Sequence, residues 1–154
     1  MKERIVCVIA AALLLFAAGC AKREAVNADA GAVADEIVKS VTFRDQMSPI
    51  AQKTIVKNYG LDAADVTKAK AYESTGATAE EAAVFEAKDE AAAERVKKAA
   101  QGRVEDQKSA FQDYQPKEMA KLKNPLLIQS GRYVVLVVAD DTSGAKKITD
   151  RYLR

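Results

Sequence analysis

The stretch 125-PLLIQSGRYVVLVVADD-141 decides how this chain folds. Two apolar runs are interrupted by Ser130-Gly131, the pattern of a β-hairpin with its turn at the glycine. The second run, Tyr133 to Ala139, is apolar throughout. A strand with one wet face alternates apolar and polar residues, so an unbroken run predicts a central strand covered on both faces.

Working back from this hairpin, Asp89 to Tyr114 is the longest periodic stretch. Ala93, Val96, Ala100, Val104, Gln107, Phe111 and Tyr114 recur every three or four positions, which predicts one long amphipathic helix. Gly102 weakens its middle by about 1 kcal/mol relative to alanine, and Pro116 prevents its continuation. Gln107 is the odd polar residue of the stripe: it bridges backbone groups inside the fold or marks a docking position. Further back, Val66–Glu73 and Ala82–Lys88 alternate loosely around Gly76 and predict a first hairpin. In 47-MSPIAQKTIVKNYG-60, Ser48 can cap a helix, Pro49 suits its first turn and Gly60 can terminate it. Ile50, Ile55, Val56 and Tyr59 form its buried side. Val33, Ile37 and Val41 place a further helix before it. Beyond the second hairpin, Ser143 to Leu153 reads as a last helix with Ala145, Ile148 and Tyr152 inward. The expected fold is a single α+β domain over 32–154, with a four-stranded antiparallel sheet from two hairpins. One long and about three shorter helices pack on it.

The amino terminus carries an address. Lys2 and Arg4 precede an uncharged run from Ile5 to Phe16, about a dozen residues and within the range of a signal peptide. Ala17, Ala18, Gly19 and Cys20 follow, and resemble a lipobox. Residues 1–19 are read as a lipoprotein signal peptide, and 20–31 as a lipidated cysteine with a flexible tether. Ala17 stands where such signals usually have leucine. An uncleaved membrane anchor and ordinary cleavage after Gly19 are the alternatives. The lipobox is preferred because basic start, apolar length, Ala-Gly-Cys and polar continuation agree. A diacylglyceryl group at Cys20 would tie the domain to the membrane, since each buried methylene contributes about 0.8 kcal/mol and two chains hold where one does not.

Composition excludes more chemistry than any motif supports. The net charge is +2, from 24 basic and 22 acidic residues, without the clustered excess of a nucleic-acid binder. There is no histidine, and the two cysteines, Cys7 and Cys20, both precede the domain. The domain therefore has no thiol or imidazole for a disulfide, a zinc site or a Ser-His pair. Asp140-Asp141 could be paired carboxylates, but capping of the last helix accounts for them. Glu80-Glu81 and Asp89-Glu90 match no calcium loop, and a strand start and a helix start explain them. Lys97, Lys98, Arg103 and Lys108 form either a basic face for anionic polymer or lipid head groups, or simply a solvated helix face. Tyr59, Tyr114 and Tyr133 are expected to bury their rings. No catalytic, cofactor-binding or metal residue is assigned. The expected site residue is Cys20, for lipidation.

"YGLD" at Tyr59–Asp62, "EEAAVFEAKD", "RVEDQKSAFQDY" and "GRYVVLVVADD" together resemble a group of small bacterial lipoproteins labelled domain of unknown function 4358. The resemblance implies signal peptide, lipidated cysteine and one α+β domain in this order. It implies no activity, cofactor or catalytic residue. The expected function is that of a membrane-anchored, extracytoplasmic, non-enzymatic interaction module of the cell envelope. Its partners would be the membrane, through Cys20, and another envelope protein or polymer, with no nucleic acid. A small-ligand-binding lipoprotein is the alternative, followed by a carboxylate-based envelope hydrolase.

Overall fold

The computed structural model describes residues 27–153. The signal-peptide stretch, Cys20 and the first part of the tether lie outside the described residues. Helix α1 spans Ala30–Ser40, and its N-cap is Asp29, whose side chain accepts from the Ala32 amide at 2.8 Å. A short strand β1 (Ser48–Ile50) leads into α2 (Gln52–Asn58), and a 3-10 turn (Ala63–Asp65) precedes the hairpin β2 (Val66–Glu73) and β3 (Glu81–Ala87). Helix α3 spans Glu90–Tyr114, a 3-10 turn follows at Pro116–Glu118, and α4 is Met119–Lys123. The hairpin β4 (Leu126–Ser130) and β5 (Tyr133–Val138) and the helix α5 (Ser143–Leu153) complete the fold.

All strand pairs are antiparallel, in the order β1-β2-β3-β5-β4. Strands β3 and β5 are thus interior, and β5 is buried along its whole length, as its apolar run predicts. Helices cover both faces. On one, α1 and α5 pack Val33, Ile37, Ala145 and Ile148 against Val84, Val135 and Val137. On the other, α2, α3 and α4 bring Ile55, Val96, Ala100 and Leu122 onto Ala83, Phe85, Val134 and Leu136. The even and odd positions of β3 and β5 serve different layers, as the two-residue period of a strand requires.

The sheet has five strands, not the expected four. The additional strand, β1, pairs Ser48, Pro49 and Ile50 with Glu73, Tyr72 and Ala71. Ser48-Pro49 therefore does not open a helix. The residue before a proline disfavours helical backbone, and the missing proline amide is tolerated on an edge strand. Among the described residues, four shorter α-helices accompany the long one, rather than about three. The added one, α4, has five residues, too few to show a helical period. Tyr114 is 65 % exposed and Tyr152 40 % exposed, so neither packs inward as expected. Thr149 and Leu153 take the inward positions of α5. Among the described residues, no helix is long and apolar enough to cross a membrane.

The described chain begins at a fixed point. The Tyr133 hydroxyl donates to the Ala28 carbonyl at 2.9 Å and accepts from the Ala28 amide at 3.1 Å. The incoming segment is thereby held against the turn of the second hairpin.

Candidate functional site

Helix α2 ends in a motif that shapes an open cleft. The Leu61 amide donates to the Val56 carbonyl and the Gly60 amide to the Lys57 carbonyl, with Gly60 at φ 61°. This is the Schellman arrangement, which needs a left-handed residue and so favours glycine. It turns the chain away from α3 and leaves a cleft of about 680 Å³ between the end of α2 and the middle of α3. Lys57, Asn58 and Gly60 form one wall, and Arg95, Lys98 and Asp106 the other. Tyr59, Gly102 and Arg103 lie between them.

The charges around this cleft differ in how they are used. Arg95 presents a fork to Asp65, with Nε and Nη2 each 2.7 Å from a carboxylate oxygen, and Lys88 Nζ adds a contact at 2.9 Å. Arg103 donates from Nε to Glu81 and from Nη2 to Glu73, both at 3.2 Å. Lys57 and Lys98 have no ion-pair partner among the described residues and are exposed. Charge exposed toward the cleft is therefore mainly the ammonium charge of these two lysines, with Asp106 opposing it.

Beneath the cleft is a buried polar cluster centred on Glu81, which is fully buried. The Tyr59 hydroxyl donates to its Oε1, and Gln107 Nε2 donates to Oε2 at 2.7 Å. Burial pushes the Glu81 carboxyl above its ordinary value, with the Arg103 guanidinium opposing the rise. Burial, reinforced by the Glu81 charge, pushes the Tyr59 hydroxyl well above 10.0. The Tyr59 ring lies edge-on to Phe85, with centroids 5.0 Å apart, and Arg103 lies 5.8 Å from the Tyr59 centroid. These contacts fix the side chains that line the floor.

A second buried cluster lies elsewhere in the fold. Lys121 Nζ is 3.0 Å from Glu80 Oε1 and 2.9 Å from Glu118 Oε2. Glu80 also accepts from the Arg44 and Asp45 amides, and Glu118 accepts from the Ala79 amide at 3.0 Å. Desolvation would raise the Glu80 pKa, but the Arg44 amide, Lys121 and the Asp45 amide outweigh it and hold the carboxyl below its ordinary value. This cluster ties α4 to two loops and has no open face.

The residues singled out in the sequence divide accordingly. Gln107 bridges inward, to Glu81 rather than to backbone. Glu80 and Glu81 are adjacent, yet each belongs to a different buried cluster. Their burial was missed, although a signal exists: Glu81 shares a strand face with Ala83, Phe85 and Ala87, and Gln107 lies on the apolar stripe of α3 opposite. A polar residue on each of two facing apolar surfaces marks a buried pair. Asp141 caps α5 through the Ser143 amide at 2.8 Å, and Asp140 pairs with Arg44. Lys98 and Arg103 meet at the cleft, whereas Lys108 pairs with Glu105 at 2.7 Å. Among the described residues no group of three acidic, cysteine or histidine side chains is placed to hold a metal ion. Cys20 lies outside the described residues.

A Cβ at Gly102 would meet nothing within 4 Å, and the residue sits inside a regular helix. Gly102→Ala is therefore expected to raise stability by about 0.5–1 kcal/mol, seen as a higher urea midpoint. A lower midpoint would contradict the reading that no intramolecular contact requires glycine there. Arg95 first, then Lys88, holds the Asp65 carboxyl well below the usual carboxylate range. Its contribution is therefore present above the unfolded value of 3.8 and lost as pH falls through the folded one. Wild type should be more stable than Asp65→Asn at neutral pH, with the two unfolding midpoints closing together in acid. A gap independent of pH would contradict this.

A family model described as a domain of unknown function (DUF4358) matches residues 39–139. The matched span runs from the end of α1 past β5, and so contains the whole sheet, α2, α3 and the cleft. No curated protein and no solved structure matches the chain.

Proposed function

The chain belongs to the DUF4358 family, and from that premise we propose that it is a membrane-tethered, extracytoplasmic interaction module without enzymatic activity. Its contact face is the cleft between α2 and α3. The observation that carries this reading is the division of charge just described. The acids, the buried lysine and the tyrosine of the two clusters are held by one another inside the fold. Lys57 and Lys98 face outward across an open cleft.

The tether follows from the lipobox reading of Cys20. From Cys20 to Ala28 the chain reaches about 29 Å at full extension, and Tyr133 fixes its far end. The domain would stand close to the bilayer, with a diacylglyceryl group at Cys20 carrying the attachment. Replacing Cys20 by Ala is expected to move the protein out of the membrane fraction and abolish incorporation of a labelled fatty acid. Membrane retention of the variant, with no label on wild type, would overturn the lipoprotein reading.

A second reading, a small-ligand-binding lipoprotein, is favoured by the size of the cleft, about 680 Å³, since ligand sites usually fall between roughly 300 and 1,000 Å³. Chemical crosslinking in intact cells separates the two. Capture of a reproducible envelope neighbour supports the module, whereas a co-purifying small molecule without a captured neighbour supports the alternative.

A further inference from the structure

We propose that the cleft between α2 and α3 receives an acidic stretch of polypeptide from a protein partner, with carboxylates reaching Lys57 and Lys98 and the partner chain crossing Gly102. This deepens the interaction-module reading and rests on it.

Charge and backbone argue for this occupant together. The two outward lysines are ammonium groups, which accept a single carboxylate from many directions. The guanidinium forks, which would suit a phosphate, are already engaged, Arg95 with Asp65 and Arg103 with Glu73 and Glu81. The wall opposite α3 is the carboxyl-terminal end of α2, where the partial charge is negative. That end, with the Ile55, Val56 and Lys57 carbonyls already accepting from the Tyr59, Leu61 and Gly60 amides, disfavours a compact dianionic phosphate more than single carboxylates spaced along a chain. Single carboxylates spaced along a polypeptide can each meet one lysine without crowding that end, which a run of phosphates does not allow.

Gly102 supplies an independent reason. It occupies the middle of a 25-residue helix, where glycine is disfavoured, yet apart from its own chain neighbours and the adjoining helix backbone no atom lies within 4 Å of where a Cβ would be. Packing within the domain does not require it. A partner backbone laid directly on α3 does, because only glycine leaves that surface bare.

The test uses the full chain and three probes: poly-L-glutamate, polyphosphate of similar charge, and vesicles containing anionic lipid. Poly-L-glutamate should bind wild type in low salt. The pair Lys57→Glu and Lys98→Glu should weaken it by about tenfold, which corresponds to a loss of about 0.7 kcal/mol at each lysine. The exposed pair Lys117→Glu and Lys147→Glu makes the same change in net charge elsewhere and should leave binding unchanged. Gly102→Leu should weaken binding while the fold, read by its thermal transition, persists. Equal loss in both charge-reversal pairs, no binding of poly-L-glutamate, or tighter lysine-dependent binding of polyphosphate or vesicles would each overturn the proposal. The broader reading is tested separately, by photocrosslinking from position 98 in intact cells. A captured protein neighbour alongside failed poly-L-glutamate binding would remove the acidic specificity and leave the module.

Discussion

Lys121→Met is expected to destabilise the domain by about 3–5 kcal/mol, the cost of leaving buried charge without its counter-ion. Lys121 is 3 % exposed, and it separates Glu80, 1 % exposed, from Glu118, 6 % exposed. Methionine retains the apolar stem but removes the ammonium, so two carboxylates are left facing each other. Glu80 keeps its amide donors from Arg44 and Asp45, which offset only part of the loss. Without the ammonium the buried Glu80 carboxyl loses one of the groups that hold it below its ordinary value, so the deficit should shrink as pH falls from 7 toward 5. Urea unfolding at several pH values measures this. Adding Glu80→Gln and Glu118→Gln to Lys121→Met should restore most of the stability, because the charges are then removed together. A triple variant no better than the single one would show that packing of the lysine stem, not charge, dominates.

Arg103→Met is expected to cost about 3 kcal/mol at neutral pH by the same physics, but with a consequence at the cleft. Among the described residues Arg103 is the only cation paired with Glu81, and it also holds Glu73, whose Oε1 accepts from Asn58 Nδ2 at 3.2 Å. Without it, the Glu81 carboxyl, already raised by burial, should rise further and be protonated in the folded state. Stability should then be lost as pH rises through that new value and recovered below it. Arg103→Lys should rescue only in part, because one ammonium cannot present the fork that bridges two carboxylates. Glu81→Gln combined with Arg103→Met should recover much of the loss. If the single variant unfolds at the same urea concentration as wild type across this pH range, the Glu81 cluster is not a buried charge pair.

The elements readable in the sequence are those whose pattern repeats over several turns or strand positions. Strand β2 matches the predicted 66–73, and α5 the predicted 143–153, because each carries its own period. The unbroken run of β5 correctly announced cover on both faces. Strand β1 was hidden because three residues hold no period, and its pairing with β2 is a contact across more than twenty residues. The five residues of α4 were hidden for the same reason.

The cleft was legible only in part. Lys98 and Arg103 stood out as one basic face, but nothing local distinguishes an outward lysine from an arginine engaged by a carboxylate 22 residues away. Glu80 and Lys121 meet across 41 positions, so their union depends on the arrival of α4, itself unforeseen. Gly102 was visible as a helix weakness, whereas the open space above it depends on the placing of α2 beside α3.

The most direct test of the account places a photoreactive amino acid at position 98 of the full chain in intact cells, with position 147 on α5 as the control. An interaction face in the cleft predicts a discrete crosslinked protein from position 98, absent from 147 and lost when Gly102→Leu is added. The same crosslinked species from both positions, or none from 98 while 147 captures one, would contradict the cleft as the contact face.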